Sequence, residues 1–593
     1  MLRSMEHRGP DGLSQHTDHE GGLTIGHLHL NAFVANGKPI APAFAVTDQH
    51  AIALDGGVIA GAAAGAIVGQ TRQQMNRDVS AVLSAYRAHG RDSLRTLDGP
   101  FALALWDKQK RELLLARGKL GEKSLYYYVD GPREIVVFAS EIKAILAHPT
   151  VRAELDWRSL SLYLAFGYVP GPRTLLKGID KLLPGESLVW AAGRPSERHR
   201  YWQLPRIGDG VDDEAYCISQ LRERFLTGLA SYVNGCDDVG VFLSGGVDSS
   251  IIVAGLRELG VPRVHTFTVA FTTDPASPRI QEDLPYARLV AQQFGTTHRE
   301  VVIGPDHDPR PGLLRVVKQF DDLIMTPNAY SKYLLAEAVR EGGLNSVLTG
   351  SAAAGACGVH RKFLDPKKRA KLERKVEGCT SDEERFFKLR SRLFSLGEQR
   401  QLLRRPPEAD KAAIMDVLHE YMGYINSNDF FRLFLFANLM ITSAEKTLKV
   451  LEKATAMAGV EARSPYLDRA VVEFSTQLPS SFDGGRTYVS LKTHLKKAFE
   501  QVLPREILER PVIGYPSYYW SRGELDELQE RLISREAFEE NGIFDYDGVV
   551  RTLQEKRSAG AKSAGKHDWA LTEFCLWYEV HIKANPAFLL GVS

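Results

Sequence analysis

An apolar run that ends in a glycine-rich turn constrains this chain more than any other feature of its sequence. Residues 239–243 are apolar and are typical of a buried strand in a parallel sheet. The turn begins Ser244-Gly245-Gly246, and residues 249–259 have the apolar periodicity of a helix. Glycines at a strand-to-helix turn let backbone N–H groups approach an anion, and the helix N-terminus adds partial positive charge. The order of strand, turn and helix therefore predicts an α/β unit that binds an anion.

The residues around this turn limit the kinds of anion-binding loop that it can be. No lysine follows the glycines, so the stretch is not the phosphate-binding loop with the pattern GxxxxGK[ST]. Asp248 would repel an anion unless a metal ion or a hydroxyl group lies between them. An ordinary glycine-rich turn is the alternative, but the occurrence of strand, turn and helix in sequence argues against it.

Composition excludes several classes of protein. The chain has 593 residues, which suggests two to four domains, and its 44% hydrophobic and 25% charged residues are typical of a globular protein. The net charge of +1 gives no general attraction to nucleic acid or to a membrane surface. We therefore expect no nucleic-acid partner. We also expect no membrane partner, since no apolar run is long enough to span a bilayer. The five cysteines form no CxxC pair and the start has no signal-peptide core, so a cytoplasmic location is expected.

The chain divides by pattern into two halves. Residues 1–190 alternate short apolar runs with turn residues, which predicts a β-rich domain with one helix at Val79–His89. Residues 191–206 are rich in Gly, Pro, Arg and Ser and form the predicted linker. Residues 207–593 alternate strands and helices and become mainly helical after residue 365. The predicted strands of the first half are residues 23–30, 51–54, 101–106, 113–116, 125–128 and 135–139.

Several motifs occur in the order in which the asparagine synthetase family has them. The sequence resembles that family, also called the class II glutamine amidotransferase synthetases, over nearly its whole length. The motifs are HRGPDG at residues 7–12, GH at 26–27, DGPFALALWD at 98–107, FASEIKAI at 138–145, LSGGVDSS at 243–250 and EARSPYLD at 461–468.

The resemblance implies a fold, a reaction and a set of binding residues. It implies an α+β glutaminase-like domain built as an Ntn-hydrolase-like antiparallel β-sandwich, followed by an α/β parallel-sheet ATP-pyrophosphatase domain with a helical C-terminal part. Such a protein uses ATP and Mg²⁺ to activate a carboxylate, and Asp248 would bind the metal. The implied nucleotide-binding residues are Leu243, Ser244, Gly245, Gly246, Val247, Asp248, Ser249, Ser250, Val269, Thr349 and Gly350.

The first half departs from the family at its glutaminase residues. The family's nucleophile is an N-terminal cysteine assisted by its own amino group, and no cysteine precedes the HRGPDG motif here. His29 stands where the family has an arginine for the glutamine carboxylate. Asp55 and Gly57 replace an asparagine of the oxyanion hole and a glutamate, and a carboxylate at position 55 would repel an oxyanion. We therefore expect no glutamine hydrolysis.

The second half has lost charged residues as well. The family's second acidic loop is replaced, and Ser351, Ala354 and Gly355 stand at its three acidic positions. Val512 replaces a lysine that would stabilise charge on the phosphates, although Lys492 is near it in sequence. The candidate catalytic residues that survive are Glu282, Asp283 and Lys492.

Two functions remain open at this point. The chain could be a ligase that joins a small-molecule carboxylate to ammonia or an amine without hydrolysing glutamine. It could instead be a nucleotide-binding pseudoenzyme or a partner subunit, as a homodimer or with a paralogous chain. Family membership favours the ligase and the lost acids favour the pseudoenzyme, and we favour the ligase.

Overall fold

A computed structural model gives the structure of most of the chain. It describes residues 1–32, 34–35, 38–39, 43–58, 79–208, 210, 213–233, 235–271, 283–304, 310–325, 328–353, 366–405, 411–427, 429–479, 491–510, 526–558 and 564–584.

The first half is built on antiparallel strands. The strands are β1 Gly12–Asp18, β2 Leu23–His29, β3 Val34–Ala35, β4 Lys38–Pro39, β5 Phe44–Val46, β6 His50–Gly56, β7 Phe101–Asp107, β8 Glu112–Arg117, β9 Tyr126–Asp130, β10 Ile135–Ala139, β11 Ile179–Lys181, β12 Glu186–Trp190 and β13 Glu197–Arg200. Six of them form one sheet in the order β13-β12-β8-β7-β6-β5, and three others pair in the order β10-β9-β11. Strands β1 and β2 pair with each other, as do β3 and β4.

The six-stranded sheet buries both of its faces, which explains why its strand β7 is apolar from Phe101 to Trp106. One face packs on the helix Val79–His89 through residues such as Leu103 and Leu105. The other face packs on the hairpin β1–β2 and on the three-stranded sheet, through residues such as Ala104 and Trp106. These layers form the predicted sandwich of antiparallel sheets. The remaining helical segments of this half are Leu2–Arg8, Gly90–Thr96, Ile142–Leu146 and Trp157–Phe166.

The second half contains a parallel sheet of five strands in the order β16-β15-β14-β17-β18. Because β15 and β16 lie on one side of β14 and the later strands on the other, the order of the sheet reverses between β14 and β17. Ligands of open α/β sheets bind at this point, beyond the carboxyl ends of the strands. The strands are β14 Asp238–Phe242, β15 Arg263–Phe271, β16 Thr297–Ile303, β17 Ser346–Leu348 and β18 Glu461–Arg463.

Helices cover both faces of the parallel sheet. Ala329–Glu341 packs on one face, while Glu214–Val233 and Val247–Glu258 pack on the other. The part of the chain that the structure describes contains no helix long and apolar enough to cross a membrane. The other helical segments are Leu284–Gln293, Arg310–Gln319, Pro366–Val376, Asp382–Arg390, Leu396–Leu402, Lys411–Met422, Phe430–Ala437, the π-helix Asn438–Thr447, Leu448–Ala456, Pro465–Leu467, Arg469–Ser475, Leu491–Ala498, Arg505–Glu509, Asp526–Leu532, Arg535–Asn541, Tyr546–Ser558 and Ala564–His581.

Buried ion pairs join the two halves. Arg117 of strand β8 lies 2.8 Å from Glu445 of the π-helix, and both side chains are buried. Lys181 of strand β11 lies 3.2 Å from Glu445 and 3.0 Å from Asp322. Lys449 lies 2.8 Å from Glu445 and 2.7 Å from Asp322, so it completes a cluster of three cations and two carboxylates.

The observed elements follow the predicted ones closely. The fold class and the helix at Val79–His89 are confirmed. The strand predicted at residues 51–54 extends over His50–Gly56, because backbone hydrogen bonding to β7 continues past the apolar residues. Within the predicted linker, Glu197–Arg200 pairs with β12 as an edge strand, and the division of the chain at residues 191–206 stays a prediction.

Candidate functional site

The turn after β14 has a backbone that requires glycine at one position. Gly245 has a φ of +65°, a left-handed conformation that side chains disfavour. A Cβ atom on Gly245 would lie 2.5 Å from the Ala287 backbone nitrogen. A Cβ on Gly246 would meet nothing closer than the Ser244 Oγ, at 3.2 Å. The residues that the structure describes therefore leave the space above Gly246 open, as close approach of an anion requires.

Serine hydroxyls hold this turn in shape. The Ser249 Oγ accepts a hydrogen bond from the Ser244 N–H at 3.2 Å and donates to the Gly246 carbonyl oxygen at 3.1 Å. The Ser250 Oγ donates to the same carbonyl at 2.9 Å, and the Ser244 Oγ accepts from the Gly246 N–H at 3.3 Å. Gly246 caps the helix Val247–Glu258, so the N-terminal turn of that helix points at the same open space.

The end of β17 lies directly beside this turn. A Cβ on Gly350 would lie 3.0 Å from the Asp248 Cβ, so glycine permits the two segments to approach. The Thr349 and Ser351 hydroxyls are 2.9 Å apart, and the Thr349 N–H donates to the Arg463 carbonyl oxygen at 3.0 Å. The structure thus brings the predicted residues Thr349 and Gly350 to the predicted anion-binding turn.

Leu243 and Val269 lie on neighbouring strands at the same end of the sheet. The Leu243 N–H donates to the Phe267 carbonyl oxygen at 2.9 Å, and its own carbonyl accepts from the Thr268 hydroxyl. Because the amide hydrogen of Leu243 is used within the sheet, a nucleotide base could bond there only through the second lone pair of the carbonyl. Val269 is buried.

An arginine that we assigned no role from the sequence lies against the turn. Arg510 donates a hydrogen bond of 3.0 Å to the Ser244 carbonyl oxygen and forms an ion pair with Asp283. Its guanidinium lies 4.3 Å from the centre of the Tyr286 ring. Asp283 is therefore brought to the site, but as the partner of a cation. Arg510 directly precedes Pro511, within the late motif that carries Val512, and that neighbourhood was the available signal.

Other predicted residues fall outside what the structure describes. Glu282, Ala354, Gly355 and Val512 lie outside the described residues. The backbone of Lys492 belongs to the helix Leu491–Ala498, but its side chain lies outside the description.

Asp248 is the residue predicted to bind magnesium. It is half-buried and lies in the first turn of the helix Val247–Glu258. Among the residues described, no group of three or more His, Cys, Asp and Glu side chains is placed to hold a metal ion. Mg²⁺ commonly takes one or two carboxylates and completes its shell with phosphate oxygens and water. A single carboxylate beside an anion-binding turn fits that ion, provided that phosphates supply further ligands.

A second site lies in a cavity of about 1300 Å³ lined by both halves of the chain. Asp55 lines it and lies 2.9 Å from Arg8 and 3.2 Å from Lys123, while the Ser140 hydroxyl donates to it at 3.0 Å. Burial alone would raise the pKa of Asp55, but the cations of Lys123 and Arg8 outweigh it and hold that pKa well below its usual range. Asp55 is thus a fixed anion in the cavity.

The other two altered positions of this half have structural partners. The His29 Nε2 lies 2.7 Å from the Ser14 hydroxyl, and its Nδ1 lies 3.2 Å from the Nδ1 of His27. The Gly57 N–H donates to the Pro100 carbonyl oxygen at 3.0 Å. Gly57 offers no carboxylate for an amino-acid ligand.

Comparison with known families agrees with this architecture. The family model described as "Asparagine synthase" matches residues 220–579, and the one described as "Glutamine amidotransferase domain" matches residues 1–202. The chain belongs to the asparagine synthase family. This family membership, with the sheets described above, supports an ATP-dependent amide ligase or amidotransferase.

Two relatives match most of the chain. "Asparagine synthetase [glutamine-hydrolyzing] 1" of Bacillus subtilis is 24% identical over 85% of this chain and 81% of its own length. "Putative asparagine synthetase [glutamine-hydrolyzing]" of Mycobacterium bovis is 27% identical over 85% of this chain and 80% of its own length.

Proposed function

We propose that this member of the asparagine synthase family is a ligase that activates a small-molecule carboxylate with ATP and transfers it to ammonia or an amine. In the first step a carboxylate oxygen attacks the α-phosphorus and pyrophosphate leaves, which forms an acyl-adenylate. In the second step the amine nitrogen attacks the acyl carbon and AMP leaves. The observation that carries the proposal is the turn at Ser244–Gly246, with its open side, its helix N-terminus and its position where the sheet order reverses.

Each part of this turn has a separate task in the proposal. The N-terminus of the helix Val247–Glu258, beside the open side of Gly246, would hold phosphate oxygens. Asp248 would provide the carboxylate for Mg²⁺, which when bound neutralises charge on the phosphates. Arg510 would fix the position of the turn through its hydrogen bond to the Ser244 carbonyl oxygen.

The nitrogen would come from ammonia or an amine and not from glutamine. Asp55 supports this, because a buried carboxylate held ionised by Arg8 and Lys123 would oppose the negative charge of a tetrahedral intermediate. Both ring nitrogens of His29 have partners within the protein, the Ser14 hydroxyl and the His27 ring, which would compete with binding of the glutamine carboxylate. We expect no release of glutamate from glutamine above a control without enzyme. A steady glutaminase rate that a glutamine analogue reactive towards cysteine abolishes would contradict this part of the proposal.

Exchange of labelled pyrophosphate into ATP, run with a panel of carboxylic acids, tests the ligase directly. At least one acid should support exchange, and the same acid should give an amide and AMP when ammonium is added. The panel should include mono-, di- and amino-substituted acids, since the chemistry of the turn does not select among them. Absence of exchange with every acid would reject the ligase.

One observation favours a nucleotide-binding pseudoenzyme as the second candidate. Ser351 stands at an acidic position of related chains, and its hydroxyl bonds to that of Thr349, so no carboxylate faces Asp248 from this residue. A pseudoenzyme would bind ATP about equally with and without Mg²⁺ and would catalyse no exchange. The ligase would need the metal for tight binding, so one titration with and without Mg²⁺ separates the two candidates.

A further inference from the structure

The cavity lined by both halves of the chain reaches the neighbourhood of the turn at Ser244–Gly246. It begins beside Asp55 and is also lined by Glu122, Glu461 and Ser464. The Ser464 hydroxyl donates a hydrogen bond of 2.7 Å to the carbonyl oxygen of Ser351, which follows β17. Ser464, which lines the cavity, is therefore hydrogen-bonded to the segment beside the turn at Ser244–Gly246.

Carboxylates line this cavity, and three of them are paired with cations. Asp55 pairs with Arg8 and Lys123, as described above. Glu452 lies 2.7 Å from Arg8 and accepts a hydrogen bond of 2.6 Å from the Ser124 hydroxyl. Glu461 lies 2.7 Å from Arg463. These three groups therefore have cationic partners within the protein.

Glu122 differs from them. It lies between β8 and β9, is half-buried, and forms no hydrogen bond or ion pair with any residue that the structure describes. Burial raises the pKa of Glu122 to about 8. Arg463 and Lys123 act to lower that pKa, while the negative charges of Glu461 and Asp468 act to raise it. The Glu122 carboxyl group therefore changes its charge at a pH of about 8.

An amine nucleophile needs such a group. Alkylammonium ions have pKa values of about 10 and carry no free electron pair at neutral pH, so a proton must leave before the nitrogen can attack. An acceptor is most effective when its own pKa lies near the working pH and when it lies within hydrogen-bond reach of the amine. Glu122 lines the cavity, and the charge of Arg463, the residue directly before Ser464, acts on its carboxyl group.

We propose that Glu122 accepts the proton of an ammonium ion or protonated amine in this cavity, so that a neutral nucleophile reaches the acyl-adenylate. The ionised Glu122 carboxylate takes one N–H proton, and the electron pair of that bond stays on nitrogen. The neutral amine then attacks the acyl carbon, the nitrogen gives up a second proton to solvent or to the departing phosphate, and AMP leaves, while Glu122 returns its own proton to solvent. This inference rests on the proposed ligase function.

Two nucleophiles of different basicity test the role. Glu122→Gln keeps the shape of the side chain and removes the acceptor. With ammonium near neutral pH, amide formation by this variant should fall about 10²-fold, the usual contribution of a proton acceptor. With hydroxylamine, which is already uncharged near neutral pH, the rate should change less than about 3-fold, because no acceptor is needed. Glu134→Gln is the matched control, since Glu134 lines the same cavity but is exposed, and both of its rates should stay unchanged.

The pH profile gives a second measurement. In the wild type the rate with ammonium should rise through a pH of about 8, where Glu122 ionises, and then level off. In Glu122→Gln this inflection should be absent, and the rate should follow the concentration of free ammonia. Glu122→Asp should restore part of the inflection. Infrared difference spectra of wild type and Glu122→Gln, taken across the same pH range, should show the band of a protonated carboxyl group in the wild type alone.

The outcomes separate this role from the ligase assignment. If pyrophosphate exchange is normal but Glu122→Gln uses ammonium as well as the wild type does, the acceptor role is rejected and the ligase stands. Equal losses with ammonium and hydroxylamine would mean a structural effect and would also reject the role. If no acid supports exchange, the ligase is rejected and the acceptor role with it.

Discussion

The Tyr466 hydroxyl donates a hydrogen bond of 2.7 Å to the carbonyl oxygen of Asp248. Tyr466 is fully buried and follows β18, whereas Asp248 lies in the first turn of the helix after β14. Ser464, two residues before Tyr466, bonds in the same way to the carbonyl of Ser351. Side chains of the segment after β18 therefore donate hydrogen bonds to backbone carbonyls of both segments that border the turn at Ser244–Gly246.

Replacing Tyr466 with Phe should weaken nucleotide binding without loss of the fold. The ring remains packed against Phe225, 4.9 Å away, while the hydrogen bond to Asp248 is lost. Loss of this part-buried hydrogen bond should cost about 0.5 to 1.5 kcal/mol. We expect a lower melting temperature and weaker ATP binding by calorimetry. Tyr216→Phe, at an exposed tyrosine, should change neither quantity, and equal effects of the two variants would contradict this function of Tyr466.

The two glycines of the turn should respond differently to substitution. Gly246→Val places its side chain in the space left open for an anion, so the protein should fold normally and lose ATP binding. Gly245→Val should instead destabilise the protein, because φ is +65° and the new Cβ would lie 2.5 Å from the Ala287 nitrogen. Thermal unfolding and calorimetry measure both effects. Unchanged ATP affinity in folded Gly246→Val would show that phosphates bind elsewhere.

Asp248→Asn should abolish exchange of pyrophosphate into ATP and leave the melting temperature nearly unchanged. The side chain is half-buried, and a neutral amide oxygen binds Mg²⁺ far less well than a carboxylate does. Titration of Mg²⁺ at fixed ATP should show a much weaker response in the variant. Ser351→Asp is the complementary change, since it adds a carboxylate next to Gly350 and should strengthen the dependence of ATP affinity on Mg²⁺. Exchange at the wild-type rate in Asp248→Asn would reject Asp248 as the metal ligand.

Local sequence signals determined much of this structure. The turn at Ser244–Gly246 could be predicted because strand, glycines and helix are contiguous, so no distant contact was needed to recognise them. The same holds for the helix Val79–His89, whose apolar spacing gives its bounds.

Contacts between distant segments could not be predicted in this way. Asp283 looked like a free acid near the adenylation site, but Arg510 pairs with it across 227 residues of sequence. Nothing in the sequence around Glu122 distinguishes it from a surface glutamate, because the charges of Arg463, Glu461 and Asp468 that act on it belong to the other half. Such properties depend on how the two halves pack, which periodicity and motifs do not encode.

The ion pairs between the halves should contribute strongly to stability, and Glu445 is their centre. Its carboxylate lies within 3.2 Å of Arg117, Lys181 and Lys449, and all four side chains are buried. Glu445→Gln would leave three buried cations with Asp322 as their remaining carboxylate in this cluster. Breaking a buried pair in this way costs about 3 to 5 kcal/mol. The melting temperature measured by calorimetry should therefore fall markedly.

The pH dependence of this effect has a definite sign. Burial would raise the pKa of Glu445, but Lys449, Lys181 and Arg117 outweigh it and hold that pKa far below its usual value. Because the unfolded chain protonates Glu445 at a pH of about 4.3, the stabilisation is fully present above that pH and declines as the pH falls below it. Burial lowers the pKa of Lys449 in the same cluster to about 8, so the difference in melting temperature between wild type and Glu445→Gln should be constant only below that pH and above about 5, and should shrink in acid. Glu384→Gln is the control, since Glu384 pairs with Lys411 at the surface and its loss should change the melting temperature little. Equal shifts for Glu384→Gln and Glu445→Gln, or a difference that grows in acid, would mean that the cluster does not hold the two halves together.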